Sequence, residues 1–257
     1  MKKFFSSLNF FSKRPFENDS YMYILNDQQA QIFKKFRKKI KYENIEKFTK
    51  ILQHSKSQIL QDMFVLNELN FKRNGFFVEF GATNGVDFSN SHILEKHFNW
   101  NGILAEPAQK WHQDLNRNRS ANIDYHCVWK DSGEVLMFNE TEIGEISTID
   151  YYTHFDQFSK ERQNGKRYEV TTTSLIDLLD KYNAPKIIDY LSIDTEGSEF
   201  EILNNFDFES HKFRVITCEH NFTNSREKIY KLLQSKGYER RYKDFSLFDD
   251  WYILSEE

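Results

Sequence analysis

From residue 75 onward, short apolar runs of strand length alternate with amphipathic stretches of helical length. The runs GFFVEFG, NGILAEP and IIDYLSID are each followed by a helix-like segment, such as NSHILEKHF or SEFEILNNF. Strands that alternate with helices of about ten residues form βαβ units, in which a mainly parallel sheet is covered by helices on both faces. This alternation predicts an α/β fold.

Two regions depart from the alternation and suggest the domain organisation. Residues 132–173 contain strand-like runs such as GEVLMFN and RYEVTTT, and we expect a β-rich insertion there, with a mobile loop over the polar residues 156–167. Residues 1–56 are predicted to form a basic helical N-terminal extension to a main domain over residues 57–257, with residues 1–20 loosely ordered. Apolar residues at mostly helical spacing predict one helix from Asp27 to Leu52.

Charge is unevenly divided along the chain and limits the partners to consider. Residues 1–60 hold 13 Lys/Arg against 5 Asp/Glu, a net of +8, whereas the remainder holds 22 against 34, a net of −12. An acidic main domain argues against a nucleic-acid groove. A basic amphipathic helix can lie on a membrane, but we expect its apolar face to pack on the main domain or to form a homodimer with a second copy.

Neither targeting nor disulfide signals are evident. No run approaches the roughly 18 to 20 apolar residues that span a bilayer, and the basic start lacks an unbroken apolar stretch and a cleavage site. The two cysteines, Cys127 and Cys218, lie in apolar runs without metal-ligand spacing, as expected of buried thiols in a reducing compartment. We therefore expect a cytoplasmic protein without a membrane span.

The turn after the first strand carries the pattern of a nucleotide-type cofactor site. Gly81 and Gly85 bracket this turn, where glycines let the backbone approach a ligand closely. Their G-x-x-x-G spacing differs from the dinucleotide fingerprint, which disfavours a nicotinamide cofactor. Glu79, at the ligand end of the strand, would repel a pyrophosphate and attract the cationic amino-acid part of a sulfonium cofactor. A tight turn with a capped charge is the alternative interpretation.

Further cofactor contacts are expected from the next two strands. Glu106 ends the second strand, where a carboxylate can accept both ribose hydroxyls of an adenosine. Asn84 and Asn90 are candidates for polar contacts near the helix start, although each could simply cap it. Val128 and Trp129, after the third strand, are placed to flank an adenine face, and Trp129 is equally well explained as a core aromatic.

A second dense site follows the fourth strand of the alternation, in LSIDTEGSEFEIL. Ser198 begins an S-x-x-E capping box, which places Asp194 and Glu196 in the loop before the helix. Two carboxylates so close together need a cation, a metal or a substrate hydroxyl as partner, unless the turn is merely solvated. His220, which closes VITCEH, is a candidate base to join them. This trio suits Mg²⁺ or Mn²⁺, yet we expect metal-independent catalysis.

The stretches GFFVEFGATNGVDFSNS, NGILAEP, TTTSLIDLL and IDYLSIDTEGSEFEIL resemble the FkbM family of S-adenosylmethionine-dependent methyltransferases. The similarity runs from about Ser57 to the C-terminus. It implies a class-I, Rossmann-like sheet of seven strands, parallel but for one, and O-methylation of sugars or of natural-product hydroxyls and carboxyls. Thr83 stands where many class-I enzymes have a middle glycine, which makes the conformation of this loop an open point.

Taken together, these patterns predict an S-adenosylmethionine-dependent O-methyltransferase that acts on a hydroxyl of a glycan or a sugar-bearing small molecule. The same fold could instead methylate a lipid, a peptide or a polyketide. A non-catalytic module that binds a partner through its basic N-terminal helix is a third hypothesis. It is disfavoured because such a module has no need of several carboxylates in one cleft.

Overall fold

The computed structural model describes residues 25–255, so the segment predicted to be loosely ordered over residues 1–20 lies outside the described residues. The described residues form eight α-helices and eleven strands. The helices are α1 (Asp27–Phe36), α2 (Ile45–Ile51), α3 (Gln61–Glu68), α4 (His92–Phe98), α5 (His112–Asn118), α6 (Leu175–Lys181), α7 (Glu199–Asn204) and α8 (Ser225–Ser235). The strands are β1 (Phe76–Phe80), β2 (Asn101–Ala105), β3 (Asn122–Asp124), β4 (Cys127–Trp129), β5 (Val135–Glu140), β6 (Thr148–Ile149), β7 (Lys166–Ser174), β8 (Ile187–Ile193), β9 (Lys212–Glu219), β10 (Tyr238–Arg241) and β11 (Asp249–Leu254).

The main sheet has seven strands in the order β10-β11-β9-β8-β1-β2-β3. Neighbours from β9 to β3 are parallel, and β11 pairs antiparallel with both β9 and β10. The predicted α/β class and the single antiparallel strand are confirmed. Because β8 and β1 are neighbours whose connections run in opposite directions along the sheet, their carboxyl ends form the crevice where such folds bind ligands.

Two apolar clusters cover the two faces of this sheet. Side chains of successive strand residues point to opposite faces, so Phe77 joins one cluster and Val78 the other. Helices α1 to α5 contribute to the first cluster, and α6, α7 and α8 pack on the second face. The resulting three layers hold the loops at the strand ends in fixed positions.

A second, four-stranded sheet has the order β4-β7-β5-β6, and three of its strands lie within residues 132–174, the region predicted to be a β-rich insertion. That this region is an insertion stays a prediction. The run NIDYHCVW, predicted to be one strand, is divided between the two sheets: Asn122–Asp124 pairs with β2, and Cys127–Trp129 pairs with β7. Asp124 accepts hydrogen bonds from His126 and Lys181, and these contacts turn the chain between the two short strands.

The single helix predicted from Asp27 to Leu52 is interrupted after Phe36. Lysines at positions 34, 35, 38 and 39 would place like charges four residues apart in a continuous helix, which is unfavourable. After the interruption, the Lys41 backbone N–H has a partner outside the helix, because the side-chain oxygen of Asn67 accepts it at 3.2 Å. The apolar face of α1 is nevertheless buried against the main domain, which is the first of the two packing partners expected from the sequence.

Candidate active site

Two adjoining cavities lie at the carboxyl ends of the central strands. The β2-side cavity, of about 40 Å³, is lined by the end of β2, the start of β4 and parts of the insertion. The β9-side cavity, of about 220 Å³, is lined by the ends of β1 and β9 and by the loop after β1. They share six lining residues, which are Phe80, Gly81, Thr83, Glu145, Asp194 and Glu196.

The two glycines of the loop after β1 allow different close contacts. Gly81 has a φ of +72°, and a Cβ there would lie 2.1 Å from the Asp194 backbone oxygen. Gly85 has a φ of +78°, and its Cβ would collide with the side chains of Arg119 and Leu115. Gly81 therefore allows the two cavity-forming loops to approach, whereas Gly85 allows α5 to pack on the turn. Thr83 adopts the left-handed conformation, with a φ of +47°, that a glycine would take more readily.

Glu106 is buried at the end of β2 and bridges two backbone segments. Its carboxylate accepts the Thr83 N–H at 2.7 Å and the Ala108 N–H at 2.8 Å. Burial raises the pKa of Glu106 to about 7, and the nearby Asp194 and Glu140 carboxyls act in the same direction. Each oxygen keeps a further acceptor position, so Glu106 can receive ribose hydroxyls in the β2-side cavity.

Glu79 lines the β9-side cavity but is already engaged by the loop before α4. Its carboxylate accepts the Asn90 N–H at 2.6 Å and hydrogen bonds from the hydroxyls of Ser89 and Ser91. The buried Arg119 guanidinium lies 3.7 Å from it. Glu79 thus fixes the position of the loop, and the attraction of a cofactor cation to it stays a prediction.

The remaining predicted cofactor residues fall into two groups. Asn90 and Val128 line the β9-side and β2-side cavities, respectively. Asn84 lines neither cavity, because its side chain caps the turn by accepting the N–H groups of Val86 and Asp87. Trp129 also lies outside both linings and packs edge-on against Tyr152, with ring centroids 6.1 Å apart.

Three carboxyls meet where the cavities join. One oxygen each of Asp194, Glu196 and Glu219 lie within 4.8 Å of one another. Asp194 and Glu196 are in the loop after β8, and Glu219 is the last residue of β9. Burial raises the pKa of Asp194 to about 7, and it raises those of Glu196 and Glu219 well above their usual range. Such a cluster is costly without a cationic or hydrogen-bonding partner.

The loop that carries Asp194 and Glu196 ends at Ser198, as predicted, but the hydrogen bonds that fix this end differ from the predicted capping box. Ser198 is the N-cap of α7, yet its hydroxyl donates to Thr195 Oγ1 and the predicted capping box is absent. Instead, the Glu199 carboxylate accepts the N–H groups of Thr195 and Gly197, each at 3.0 Å. Glu199 therefore holds the loop in the shape that presents Asp194 and Glu196.

His220 does not join the cluster with which it was predicted to act. Its Nδ1 accepts the Phe222 N–H at 3.0 Å, and its Nε2 lies 3.8 Å from an Asp250 oxygen. The residue lines neither cavity, and burial lowers its pKa to about 4. Neighbouring residues of a strand point to opposite faces, so Glu219 faces the cleft and His220 turns towards β11.

The insertion is anchored to the loop after β8 by a buried arginine. Arg162 donates to Glu196 Oε2 at 2.6 Å and to Asp156 Oδ1 at 2.8 Å, and its side chain is fully buried. Thr148 Oγ1 donates to the Glu196 backbone oxygen at 2.9 Å. Arg162 thus ties the stretch 156–167, predicted to be a mobile loop, to the cleft, and the last two residues of this stretch belong to β7.

Sequence reasoning did not identify Arg162, Asn221 or Cys127 as parts of the site. Asn221 donates to Glu196 at 3.0 Å, and Cys127 lines the β2-side cavity. Arg162 lies in a polar run that resembles a surface loop, so no local pattern marks it. Asn221 lies in the turn after β9, with a φ of +44°, so the alternation of strand residues does not extend to it and no local pattern marks it either.

Comparison with protein families identifies one family. The family model described as the methyltransferase FkbM domain matches residues 79–240. No curated protein sequence matches the chain.

Among solved structures, the METTL16 methyltransferase domain is 12% identical, with a TM-score of 0.40, over 74% of this chain and 64% of that one. A precorrin-6y C5,15-methyltransferase from Geobacter metallireducens is also 12% identical, with a TM-score of 0.37, over 75% of this chain and 85% of that one. The human methyltransferase 10 domain containing protein is 10% identical, with a TM-score of 0.37, over 77% and 82%.

Proposed function

This chain belongs to the FkbM family of S-adenosylmethionine-dependent methyltransferases, and we propose that it methylates a hydroxyl of a sugar, a glycan or a sugar-bearing metabolite. The observation that carries the proposal is the division of the cleft. A cavity with an adenosine-type carboxylate, Glu106, opens beside a larger cavity in which carboxyls converge, and Asp194 lines both.

The β2-side cavity suits the adenosine part of the cofactor. Val128 and Phe138 offer apolar surface for an adenine ring, and Glu106 offers acceptor positions for the ribose. Gly81 lines both cavities, so the cofactor amino acid would extend past it from the β2-side cavity into the β9-side cavity. When bound, S-adenosylmethionine supplies an electrophilic methyl group on a sulfonium, which is a good leaving group.

The β9-side cavity suits an acceptor that carries several hydroxyls. Its wall presents the amide side chains of Gln28, Gln58 and Gln157 together with the rings of Phe88 and Phe158. Sugars offer hydroxyls to such polar groups and their C–H faces to aromatic rings. A lipid or polyketide chain would favour a more uniformly apolar wall, and this contrast favours the sugar over those alternatives.

The residues at the junction position the nucleophile and receive its proton. With S-adenosylmethionine bound, a hydroxyl oxygen held beside Asp194 would attack the methyl carbon, and the carbon–sulfur bond would break with its electron pair left on the sulfur of S-adenosylhomocysteine. The hydroxyl proton passes to an Asp194 oxygen. Holding the oxygen in line supplies a large part of the rate enhancement, because the reaction becomes effectively unimolecular. We assign no proton transfer to His220, since its ring lines neither cavity.

Calorimetric titration with S-adenosylhomocysteine tests the cofactor assignment. We expect saturable binding by the wild type and its loss in Glu106→Ala. The exposed carboxylate of Asp114, on α5, provides the matched control Asp114→Ala, which should bind normally. A folded wild type that does not bind would refute the assignment and support the partner-binding module. A glycan screen by methyl transfer then separates sugars from lipid, peptide, polyketide and nucleic-acid acceptors.

We also propose the cytoplasm as the compartment, which the two free, buried cysteines support. None of the helices over residues 25–255 combines the length and the apolar character that a membrane crossing requires.

A further inference from the structure

The carboxyls of Asp194 and Glu219 have no cationic partner among the described residues. Of the cluster, only Glu196 is paired, with Arg162 at 2.6 Å and Asn221 at 3.0 Å. No salt bridge within residues 25–255 reaches Asp194 or Glu219. In this largely buried position the two carboxyls can both ionise only if a ligand supplies the balancing positive charge.

An independent observation on the same cavity wall also points to a ligand. Asn90 is 7% exposed and lines the β9-side cavity, and its Oδ1 is buried without a hydrogen-bond donor. The amide nitrogen is already committed, since it donates to Ser192 Oγ at 3.0 Å. Buried amide oxygens are nearly always satisfied, so an orphan oxygen in the cavity that the three carboxyls also line indicates an ion or an ordered water.

The ligand atoms available here are all oxygens. Asp194, Glu196 and Glu219 supply carboxylates within 4.8 Å of one another, and Asn90 supplies an amide oxygen. His220, the imidazole expected in a metal-binding trio, faces away from the cavity. Oxygen-only sites suit hard divalent cations such as Mg²⁺ and Mn²⁺, whereas imidazole or thiolate ligands would suit zinc or iron.

We infer that Asp194, Glu196 and Glu219 form a binding site for a hard divalent cation, Mg²⁺ or Mn²⁺, with Asn90 Oδ1 as a further ligand, direct or through water. The catalytic role of this cation rests on the proposed function. A sugar hydroxyl is a weak nucleophile at neutral pH, and coordination to a cation lowers its pKa and fixes its position. This inference replaces the metal-independent reaction expected from the sequence.

The test measures Mn²⁺ binding directly, on the full chain after removal of metals with a chelator. The electron paramagnetic resonance signal of free Mn²⁺ decreases when the ion is bound, so titration gives affinity and stoichiometry without an activity assay. We expect about one Mn²⁺ per chain, and affinity reduced at least about tenfold in Asp194→Asn and Glu219→Gln. Glu145→Gln is the matched control, because Glu145 lines both cavities but lies outside the cluster, and its affinity should equal that of the wild type.

Thermal denaturation keeps the test valid if a variant folds poorly. Each amide substitution removes one of several crowded carboxyls, so the metal-free variants should melt at or above the wild-type temperature. Only the wild type and Glu145→Gln should gain stability when Mn²⁺ is added. The inference is overturned if the wild type does not bind near about 1 mM Mn²⁺, or if both cluster variants bind as well as the wild type.

Parallel titration with S-adenosylhomocysteine separates the two proposals. Cofactor binding without Mn²⁺ binding leaves the methyltransferase assignment intact and refutes the cation site. Mn²⁺ binding that the cluster variants lose, in a protein that does not bind S-adenosylhomocysteine, supports the site and refutes its role in methyl transfer.

Discussion

Each buried carboxyl of the cleft has its own partners, and these partners determine what it can do. Glu79 receives three hydrogen bonds from the segment 89–91 and holds that loop. Glu106 receives two backbone N–H groups and retains room for a ligand. Asp194 and Glu219 have no cationic partner within residues 25–255. Residues of the same charge therefore divide into structural and ligand-binding roles according to how many donors the fold already supplies.

Glu106 should make cofactor affinity dependent on pH. Its folded-state pKa is raised to about 7, mainly by burial, so a large fraction is protonated below pH 7. A protonated carboxyl loses acceptor capacity, and we expect S-adenosylhomocysteine affinity to fall as pH decreases from 8 to 6. Hydrogen bonds to a charged acceptor contribute about 1.5–3 kcal/mol, so Glu106→Gln should weaken binding about 10- to 100-fold at pH 8. Calorimetry at several pH values measures both effects.

The raised pKa of Glu106 has the opposite effect on stability, because its contribution to the free energy of unfolding decreases as pH rises. The folded form holds the proton more tightly than the unfolded chain, so this contribution is complete below about pH 4.5 and is lost as pH rises through about 7. The titratable groups near Glu106 are Asp194, Glu140, His112, Cys127 and Tyr168. The Glu106→Gln variant shows which of these groups causes the pH dependence of cofactor affinity. If the affinity of this variant for S-adenosylhomocysteine varies with pH as fully as that of the wild type, a group other than Glu106 causes the dependence.

Gly81 should be the position of the loop after β1 that least tolerates a side chain. A Cβ there lies 2.1 Å from the Asp194 backbone oxygen, so β1 or the loop after β8 would have to move. We expect Gly81→Ala to lower the free energy of unfolding by several kcal/mol and to abolish cofactor binding. The left-handed backbone contributes about 1–2 kcal/mol of this loss, and the steric conflict contributes the rest.

Gly133→Ala isolates the backbone contribution. Gly133 has a φ of +80°, close to that of Gly81, but nothing lies within 4 Å of the added Cβ. Urea denaturation should therefore show a loss of only about 1–2 kcal/mol, with cofactor binding retained. Equal losses in the two variants would mean that contact between the two loops does not determine the shape of the cleft.

At the scale of secondary structure, periodicity in the sequence predicts most elements, and contacts distant in sequence explain the exceptions. The βαβ alternation predicts the main sheet because each strand is apolar and each helix is amphipathic. It cannot reveal that NIDYHCVW changes sheets, since that depends on Asp124 meeting Lys181. Choosing Glu219 rather than His220 depends on which residue at the end of β9 faces the cleft. Both faces of a central strand are buried, so the sequence does not decide this.

The attachment of the insertion to the cleft should depend on Arg162. Arg162→Met leaves Asp156 and Glu196 buried without their cation, and breaking a buried ion pair in this way costs about 3–5 kcal/mol. We expect a loss of that size in urea denaturation and faster proteolysis within the insertion. Adding Glu196→Gln should restore part of the stability, because it removes one of the two uncompensated charges.

Arg167→Met is the matched control, at the start of β7 and five residues beyond Arg162. Arg167 pairs with Asp150 at 2.8 Å, but both side chains are more than a third exposed. Exposed ion pairs contribute about 0–1 kcal/mol, so this variant should unfold almost like the wild type. If Arg162→Met were equally mild, the insertion would be held to the cleft by contacts other than this ion pair.

At the scale of the molecule, the N-terminal helices share one apolar core with the main sheet. Phe33, Phe36 and Phe48 are buried in the same cluster as Trp251 of β11. The basic face of α1 remains outward, and one of its lysines, Lys35, donates to the Asp244 backbone oxygen. The lysines of α1 thus lie on the protein surface, while the apolar side of the same helix is buried. This arrangement supports the predicted packing on the main domain.

Phe36 should test whether this extension is integral to the fold. Its ring lies within 5.6–6.2 Å, centroid to centroid, of Phe48, Tyr242, Phe245 and Trp251. Removing a fully buried phenylalanine costs about 3–5 kcal/mol, which is a large share of the stability of a typical domain. We expect Phe36→Ala to lose this amount of stability in one cooperative unfolding transition, as monitored by both fluorescence and circular dichroism.

Tyr42→Ala, at a position 81% exposed, is the control and should change stability by less than about 0.5 kcal/mol. A small loss in Phe36→Ala, or two separate transitions, would show instead that residues 57–257 fold independently of the extension.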